Sequence, residues 1–282
     1  MATASDAPAR AAGFVARTVE RWRAGHGVRE RDSIAEEVPV AMVYNGTGFA
    51  VMMATPHDLE DFALGFSLSE GLVAAPEQLL QVQVQELLEG IRLAIQVSDD
   101  APVLRQEKTA RLLPGRSGCG ICGTRELEQA IRHGAPVGAG EGIAREALEH
   151  ALAQLQTMQP INAATGAVHA AAWADSEGRI ALVREDVGRH NALDKLIGAL
   201  RRGGIDAARG MALVTSRASY EMVTKAASAG ITVLAAISAP TALAIQLAHD
   251  ARLTLIGFAR PGSHNVYTHP ERLRPAARQE SS

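Results

Sequence analysis

The chain has 282 residues, 47% of them hydrophobic and 21% charged, with a formal net charge of −3. That composition supplies a core and excludes global disorder, and the slightly acidic balance argues against a general nucleic-acid binder, whose domain carries a basic surface. No apolar run reaches the roughly 18 residues of a membrane span, and residues 1–27 hold arginines without the compact apolar stretch of a secretory signal, so no membrane partner is expected and the cytoplasm is the expected compartment.

Taken in chain order, residues 1–32 read by composition as a weakly ordered leader. Residues 38–54 are two apolar runs around Asn45-Gly46, a hairpin signal because both residues tolerate positive φ; Thr47-Gly48 offers a longer loop. A helix is predicted next, with Thr55 as N-cap, Pro56 at N1, an apolar stripe of Leu59, Phe62, Ala63 and Phe66, and Gly71 at its end. Two further strands are predicted over 79–97 around Glu89-Gly90, so residues 33–112 form a small α+β domain.

Residues 113–275 then read as a larger α/β domain, followed by a tail over 276–282. Helices are predicted over 125–133, with Thr124 as a cap, and over 147–158. From 211 to 260 strand and helix alternate at short spacing: MALVT, SYEMVTKAASA with Ser219 as cap and Gly230 past its end, ITVLAAIS, TALAIQLAHDA and LTLIGFA. Such alternation predicts parallel strands joined by helical crossovers. Ligands in such sheets sit beyond the carboxyl ends of the strands. Those ends are Thr215-Ser216-Arg217, Ser238-Ala239-Pro240 and Ala259-Arg260-Pro261, which bring hydroxyls and two guanidiniums to one rim suited to a phosphate or a planar polar heterocycle.

Both cysteines of the chain, Cys119 and Cys122, stand in RSGCGICGT among three glycines. Structural disulfides are rare in the cytoplasm, and a lone Cys-x-x-C there points to redox, metal or sulfur chemistry. Arg116 and Arg125 flank the pair, and cations lower a thiol's pKa and so favour the reactive thiolate. A mobile, activated thiol suits the carriage of sulfur between proteins. A zinc half-site lacks a second Cys-x-x-C or a clear His pair, although a zinc shared between two chains stays open. A thioredoxin-like dithiol ordinarily opens a helix after a βαβ pattern. A deaminase-type zinc needs His-x-Glu, and His169 is followed by two alanines. Two buried small hydrophobes are the plainest alternative, at odds with the neighbouring glycines.

In EDVGRHNALDK, residues 185–195, Asn191 is a candidate cap with Asp194 at N3, and Leu193, Leu196, Ile197 and Leu200 form a core stripe. Arg189 and His190 at this helix start suit an anion, but a self-satisfied salt-bridge loop explains the spacing as well. Ser216 and Arg217 are candidates at a strand end. Glu221 and Lys225 read as a solvated i,i+4 pair.

Together NGTGFAVMMATPHDLEDFALGF, SGCGICG, TGAVHAAA, EDVGRHNALDKLIG, SRASYEMVTKAASAGI, SAPTALAIQLA and GFARPGSHNVYTHPER resemble, in order from about Val38 to Arg272, the formate dehydrogenase accessory sulfurtransferases, the FdhD/NarQ family. The resemblance implies a fold like cytidine deaminase without its zinc site: a parallel-rich α/β sheet with helices on both faces, after the smaller α+β section. It implies a sulfurtransferase that takes sulfur from a cysteine desulfurase as a persulfide on Cys119, with Cys122 assisting. The acceptor would be the molybdenum or tungsten bis(pterin guanine dinucleotide) cofactor of formate dehydrogenase, bound as a substrate with no permanent metal. The family's cofactor contact maps onto Phe258, Ala259, Arg260, Pro261, Gly262 and Ser263, the rim already reached from strand order, to which Ser216, Arg217, Arg189 and His190 add. A homodimer is also implied. A non-catalytic cofactor chaperone and a zinc-dependent nucleotide enzyme are the alternatives.

Overall fold

The computed structural model describes residues 13–105 and 136–274. The loop with Cys119 and Cys122 and the helix expected over 125–133 lie outside the described residues.

The first strands, β1 (Phe14–Arg23) and β2 (His26–Ala35), pair antiparallel as a ribbon. The leader expected to be weakly ordered through residue 32 is therefore regular from residue 14. Val15 faces Ile34 across the ribbon, and Arg21 bridges Glu30 at 2.7 Å and Asp32 at 3.2 Å. Cross-strand charge pairs stabilise a strand as apolar pairs do, and they hide its period of two beneath an arginine-rich composition.

The hairpin of β3 (Val38–Tyr44) and β4 (Thr47–Ala54) turns through Asn45 and Gly46 alone, at φ 44° and 81°; Thr47 is already paired with Tyr44. After it come α1 (Leu59–Ser69), β5 (Leu79–Leu87) and β6 (Gly90–Val97). The sheet runs β4-β3-β6-β5, with β3 and β6 parallel, and α1 covers one face through Phe62 and Phe66 against Val40, Met42, Leu93 and Ile95. Gly71 ends α1 at φ 64°: its amide donates to the Leu68 carbonyl and that of Leu72 to Ser67. Thr55 is not the cap. It is fully buried, its amide donates to Asp186 Oδ2 at 3.0 Å, and its hydroxyl accepts from the Val187 amide at 3.1 Å.

The larger unit contains β7 (Ile143–Ala144), α2 (Arg145–Leu155), α3 (Pro160–Thr165), β8 (His169–Asp175), β9 (Ile180–Asp186) and α4 (Arg189–Arg202). There follow β10 (Gly210–Val214), α5 (Tyr220–Ser228), β11 (Val233–Ala236), α6 (Ala242–Asp250), β12 (Thr254–Arg260), β13 (Ser263–Val266) and β14 (Leu273–Arg274). The six-stranded sheet has the order β13-β12-β11-β10-β8-β9. Its centre, β10-β11-β12, is parallel as the alternation predicts, and β8, β9 and β13 run antiparallel. Alternate strand residues serve two cores. Ala212, Val214, Leu234 and Ala236 meet α4, α5 and α6, while Met211, Leu213, Val233 and Ala235 meet α2. The fold is mixed α/β with helices on both faces of this sheet, and among the described residues no helix is long and apolar enough to cross a membrane.

The two units join where α1 crosses α4. A Cβ on Gly65 would stand 1.7 Å from the Asp194 carbonyl oxygen, and one on Gly198 would stand 1.9 Å from that of Asp61. No side chain fits at either point, so glycine is what lets the backbones touch.

Candidate functional site

One rim of the large sheet collects the predicted cofactor-binding residues; Cys119 and Cys122 lie outside the described residues. β10 and β12 end there, at Val214 and Arg260, and antiparallel pairing brings the start of β8 (His169), the end of β9 (Asp186) and the start of β13 (Ser263) to the same edge. The loops after the parallel strands are tied together: the Ile237 amide donates to Val214, Thr241 to Ala218, and Phe258 to Ser238. A Cβ on Gly257 would lie 2.6 Å from the Pro240 ring, so this glycine lets the second loop close onto β12. Next to it the ladder shifts register, and Phe258 takes φ 51° with 43% of its surface exposed. A bulky residue held left-handed costs roughly 1–3 kcal/mol and persists where surrounding structure imposes it, often at functional sites. Arg217, Arg260, Pro261, Gly262 and Ser263 are exposed here; Ala259 and Ser216 are buried. The Gly262 amide donates to Glu149 Oε2 at 2.6 Å.

The starts of α4 and α5 reach the same rim. Three buried atoms around them, Arg189 Nε, His190 Nε2 and Ser219 Oγ, have no hydrogen-bond partner among the described residues. A buried polar atom without a partner calls for an explanation, an unseen ligand or water among them. His190 Nε2 stands 3.2 Å from Glu221 Oε2, near enough for electrostatic coupling but off line for a hydrogen bond. Burial first, then the Arg189 and Lys225 charges, push the His190 imidazole down to about 3, so it stays neutral. Burial pushes the Glu221 carboxyl up to about 7, against the opposing pull of Lys225. Burial and Arg189 also lower the half-buried His169 ring. The cluster therefore pairs one guanidinium with a carboxyl that titrates near neutrality.

The model of the FdhD/NarQ family matches residues 35–274, a span that includes both cysteines, the rim and the α4 and α5 starts. The chain belongs to the FdhD/NarQ family. It is 58% identical over 93% of its length to "Sulfur carrier protein FdhD" of Xanthomonas euvesicatoria pv. vesicatoria, covering 92% of that protein. It is 52% identical over 92% of its length to the protein of the same name from Cupriavidus necator, covering 90% of it. A crystal structure from Desulfotalea psychrophila, assigned as a formate dehydrogenase accessory protein, superposes with a TM-score of 0.77 at 24% identity, over 93% of this chain and 100% of that one. At that identity the likeness speaks for the fold.

Within the family-like stretch EDVGRHNALDK, most side chains prove to hold the fold. Glu185 accepts from the Ile161 and Asn162 amides at 2.9 and 2.7 Å, fastening the start of α3. Lys195, fully buried, donates to Asp186 Oδ2 at 2.7 Å and to the Thr55 carbonyl at 3.0 Å. Asn191 is not a cap: α4 begins at Arg189, and the Asn191 amide group donates to Asp186 Oδ1 and the Met53 carbonyl. Asp194 is buried against Lys225, whose Nζ lies 2.9 and 3.0 Å from its two oxygens and 2.8 Å from Glu70. Lys225, only 3% exposed, is thus no solvated face, and Glu221 turns instead toward His190.

Arg189 and His190 are the members of the stretch left toward the rim, beside Ser219 and Glu221, which sequence reasoning assigned to capping and to a bland ion pair. Ser219 does hold the cap position, but its hydroxyl makes no capping bond. The available signal was their place directly after a parallel strand's end, the usual address of a ligand.

Proposed function

We propose that the chain is a sulfur carrier in formate dehydrogenase maturation, with Cys119 as the carrying thiol. The observation that carries the reading is the family match, whose span contains both cysteines, with relatives named sulfur carrier proteins at 52% and 58% identity. In the loading step the Cys119 thiolate attacks the outer sulfur of a cysteine desulfurase persulfide. The donor's S–S bond breaks, the donor leaves as a thiolate, and Cys119 holds the sulfane sulfur. Such exchange depends on thiolate fraction, nucleophilicity and access. Release as sulfide takes two electrons. Attack by the Cys122 thiolate on the Cys119 sulfur supplies them, expelling hydrosulfide and leaving a Cys119–Cys122 disulfide.

The substrate receiving this sulfur is the molybdenum or tungsten bis(pterin guanine dinucleotide) cofactor, held at the rim by its nucleotide ends. Exposed Phe258, Arg260 and Arg217 and the Pro261–Ser263 turn suit a planar base with phosphates. Holding both partners in register supplies much of the rate, because orientation converts an encounter into an intramolecular step.

Complementation of a strain lacking its own gene tests the reading. Cys119→Ala should leave formate dehydrogenase inactive while the protein accumulates normally. Full activity with this variant would leave a cofactor-handing chaperone in place of a carrier.

A further inference from the structure

Among the described residues β5 pairs with β6 on one side and leaves its other edge open. The opposite edge of that sheet, β4, meets the larger unit, where the Asn191 side-chain amide donates to the Met53 carbonyl at 2.8 Å. Natural edge strands are kept from pairing by lysine, proline, short length or bulges. The nine residues of β5, LLQVQVQEL, hold no lysine, arginine or proline, and its register shift is confined to the start, between Leu79 and Gln81. A run of high β-propensity and low charge is an aggregation hazard when left open, so a native occupant is expected for this edge.

The sequence of the strand indicates which occupant. About Gln83 it is close to a palindrome: Val82 mirrors Val84, Gln81 mirrors Gln85 and Leu79 mirrors Leu87, with Leu80 and Glu86 the one unlike pair. Antiparallel pairing of a strand with its own copy sets each residue opposite its mirror image, and a two-fold axis makes such a contact self-complementary. Val82 and Val84 stand opposite Ile95 and Leu93 on the face that α1 covers, and Gln81, Gln83 and Gln85 stand opposite Gln96, Ala94 and Arg92 on the other. Pairing about Gln83 therefore sets valine against valine on one face and glutamine against glutamine on the other, with no like charges opposed. Val84, 43% exposed although it lies on the helix side, gains cover.

The strand ends add to the contact. Pairing in this sense carries the Leu87-Leu88 turn of each copy to the Leu79-Leu80 end of the other. Leu88 is 98% exposed and Leu80 is exposed as well, and a cavity of about 750 Å³ lined by Leu80, Asn45, Val97 and Arg92 opens there. A nine-residue edge spans roughly 30 Å, and in a sheet layer about 10 Å thick it supplies roughly 300 Å² per copy. A stable interface takes about 600–1,000 Å² per copy, so the leucine turns have to supply the rest, and the association is expected to depend on concentration.

We propose that β5 pairs antiparallel with β5 of a second copy about Gln83, joining the two small sheets into one. To the homodimer that the family resemblance implies, this adds the surface and the register. The surface lies apart from the rim of the large sheet, and the proposal is independent of the sulfur-carrier reading.

Sedimentation velocity of the full chain, from low to high micromolar concentration, should show a monomer passing into a dimer. Val84→Lys sets a charge against a valine of the second copy and should stay monomeric throughout, with the urea midpoint of the parent where the parent is itself monomeric. Val51→Lys, at a comparably exposed position on β4, should dimerise as the parent does. Cysteine crosslinking reads the register, in a Cys119→Ser, Cys122→Ser background oxidised with copper phenanthroline. Gln83→Cys should give a disulfide-linked dimer, because directly opposed Cα atoms lie about 4.5–5.5 Å apart and a disulfide spans about 4.4–6.8 Å. Gln81→Cys should not, since its counterpart stands four residues away, roughly 14 Å along the strand. A dimer that survives Val84→Lys, no crosslink from Gln83→Cys, or equal crosslinking from Gln81→Cys overturns the proposal. A parent that is monomeric at every concentration overturns it too, and leaves the edge to a strand of another protein.

Discussion

Lys225→Met removes one charge from a buried network while keeping an unbranched stem beside the Phe66 ring, whose centroid lies 5.5 Å from Nζ. Asp194, with no exposed surface, would lose its contacts at 2.9 and 3.0 Å and keep the Ser69 hydroxyl at 2.6 Å. Leaving a buried charge without its partner costs about 3–5 kcal/mol. The loss should depend on pH in a definite sense. Burial already pushes the Asp194 carboxyl above its ordinary range, with the Lys225 charge pulling against it, and the substitution removes that pull. A carboxyl raised in the folded state retains a proton that the unfolded chain releases, so its contribution is present at low pH and lost as pH rises. Urea unfolding followed by circular dichroism should therefore show the full loss at pH 8 and a much smaller one near pH 5. Adding Asp194→Asn should recover most of the loss at pH 8, because the two sites are coupled. A deficit equal at both pH values would assign the effect to packing, and one below about 1 kcal/mol at pH 8 would refute the buried-partner account.

Gly65→Ala sets a helix-propensity gain of about 1 kcal/mol against a methyl placed 1.7 Å from the Asp194 carbonyl oxygen. Overpacking against backbone costs about 1–3 kcal/mol or more, so a net loss of chemical stability is expected, and an unchanged urea midpoint would contradict the close crossing. Phe258→Gly trades about 1–2 kcal/mol of left-handed strain against up to about 1 kcal/mol for the freer unfolded glycine. Stability should then stay within about 1 kcal/mol of the parent by calorimetry while GDP binding weakens; undiminished binding would remove Phe258 from the site.

The elements legible in the sequence are those specified by their own neighbours. Asn45-Gly46 turns the hairpin because both residues accept positive φ, Gly71 and Gly230 end their helices at φ 64° and 78°, and the apolar blocks from 211 to 260 become the parallel centre of the sheet. The misreadings have a common cause in partners distant along the chain. Thr55 looks like a cap until Asp186 and Val187, more than 130 residues on, claim its amide and hydroxyl. Asn191 and Lys225 look local until Met53 and Glu70 from the first unit reach them. The ribbon of β1 and β2 was hidden differently, by charged pairs standing where apolar alternation was sought. The parallel pairing of β10, β11 and β12 brings their carboxyl ends to one edge, as the alternation of strand and helix predicts. Glu221 stayed obscured because an acidic residue in a helix's first turn ordinarily serves the helix dipole, and only its burial beside His190 marks it out.

Mass spectrometry of the intact protein and its peptides, after incubation with a cysteine desulfurase and cysteine, tests the central claim most directly. A gain of one sulfur on Cys119, absent from Cys119→Ala, is the predicted result. No added sulfur on either Cys119 or Cys122, with the desulfurase shown to be active, would contradict sulfur carriage by this chain.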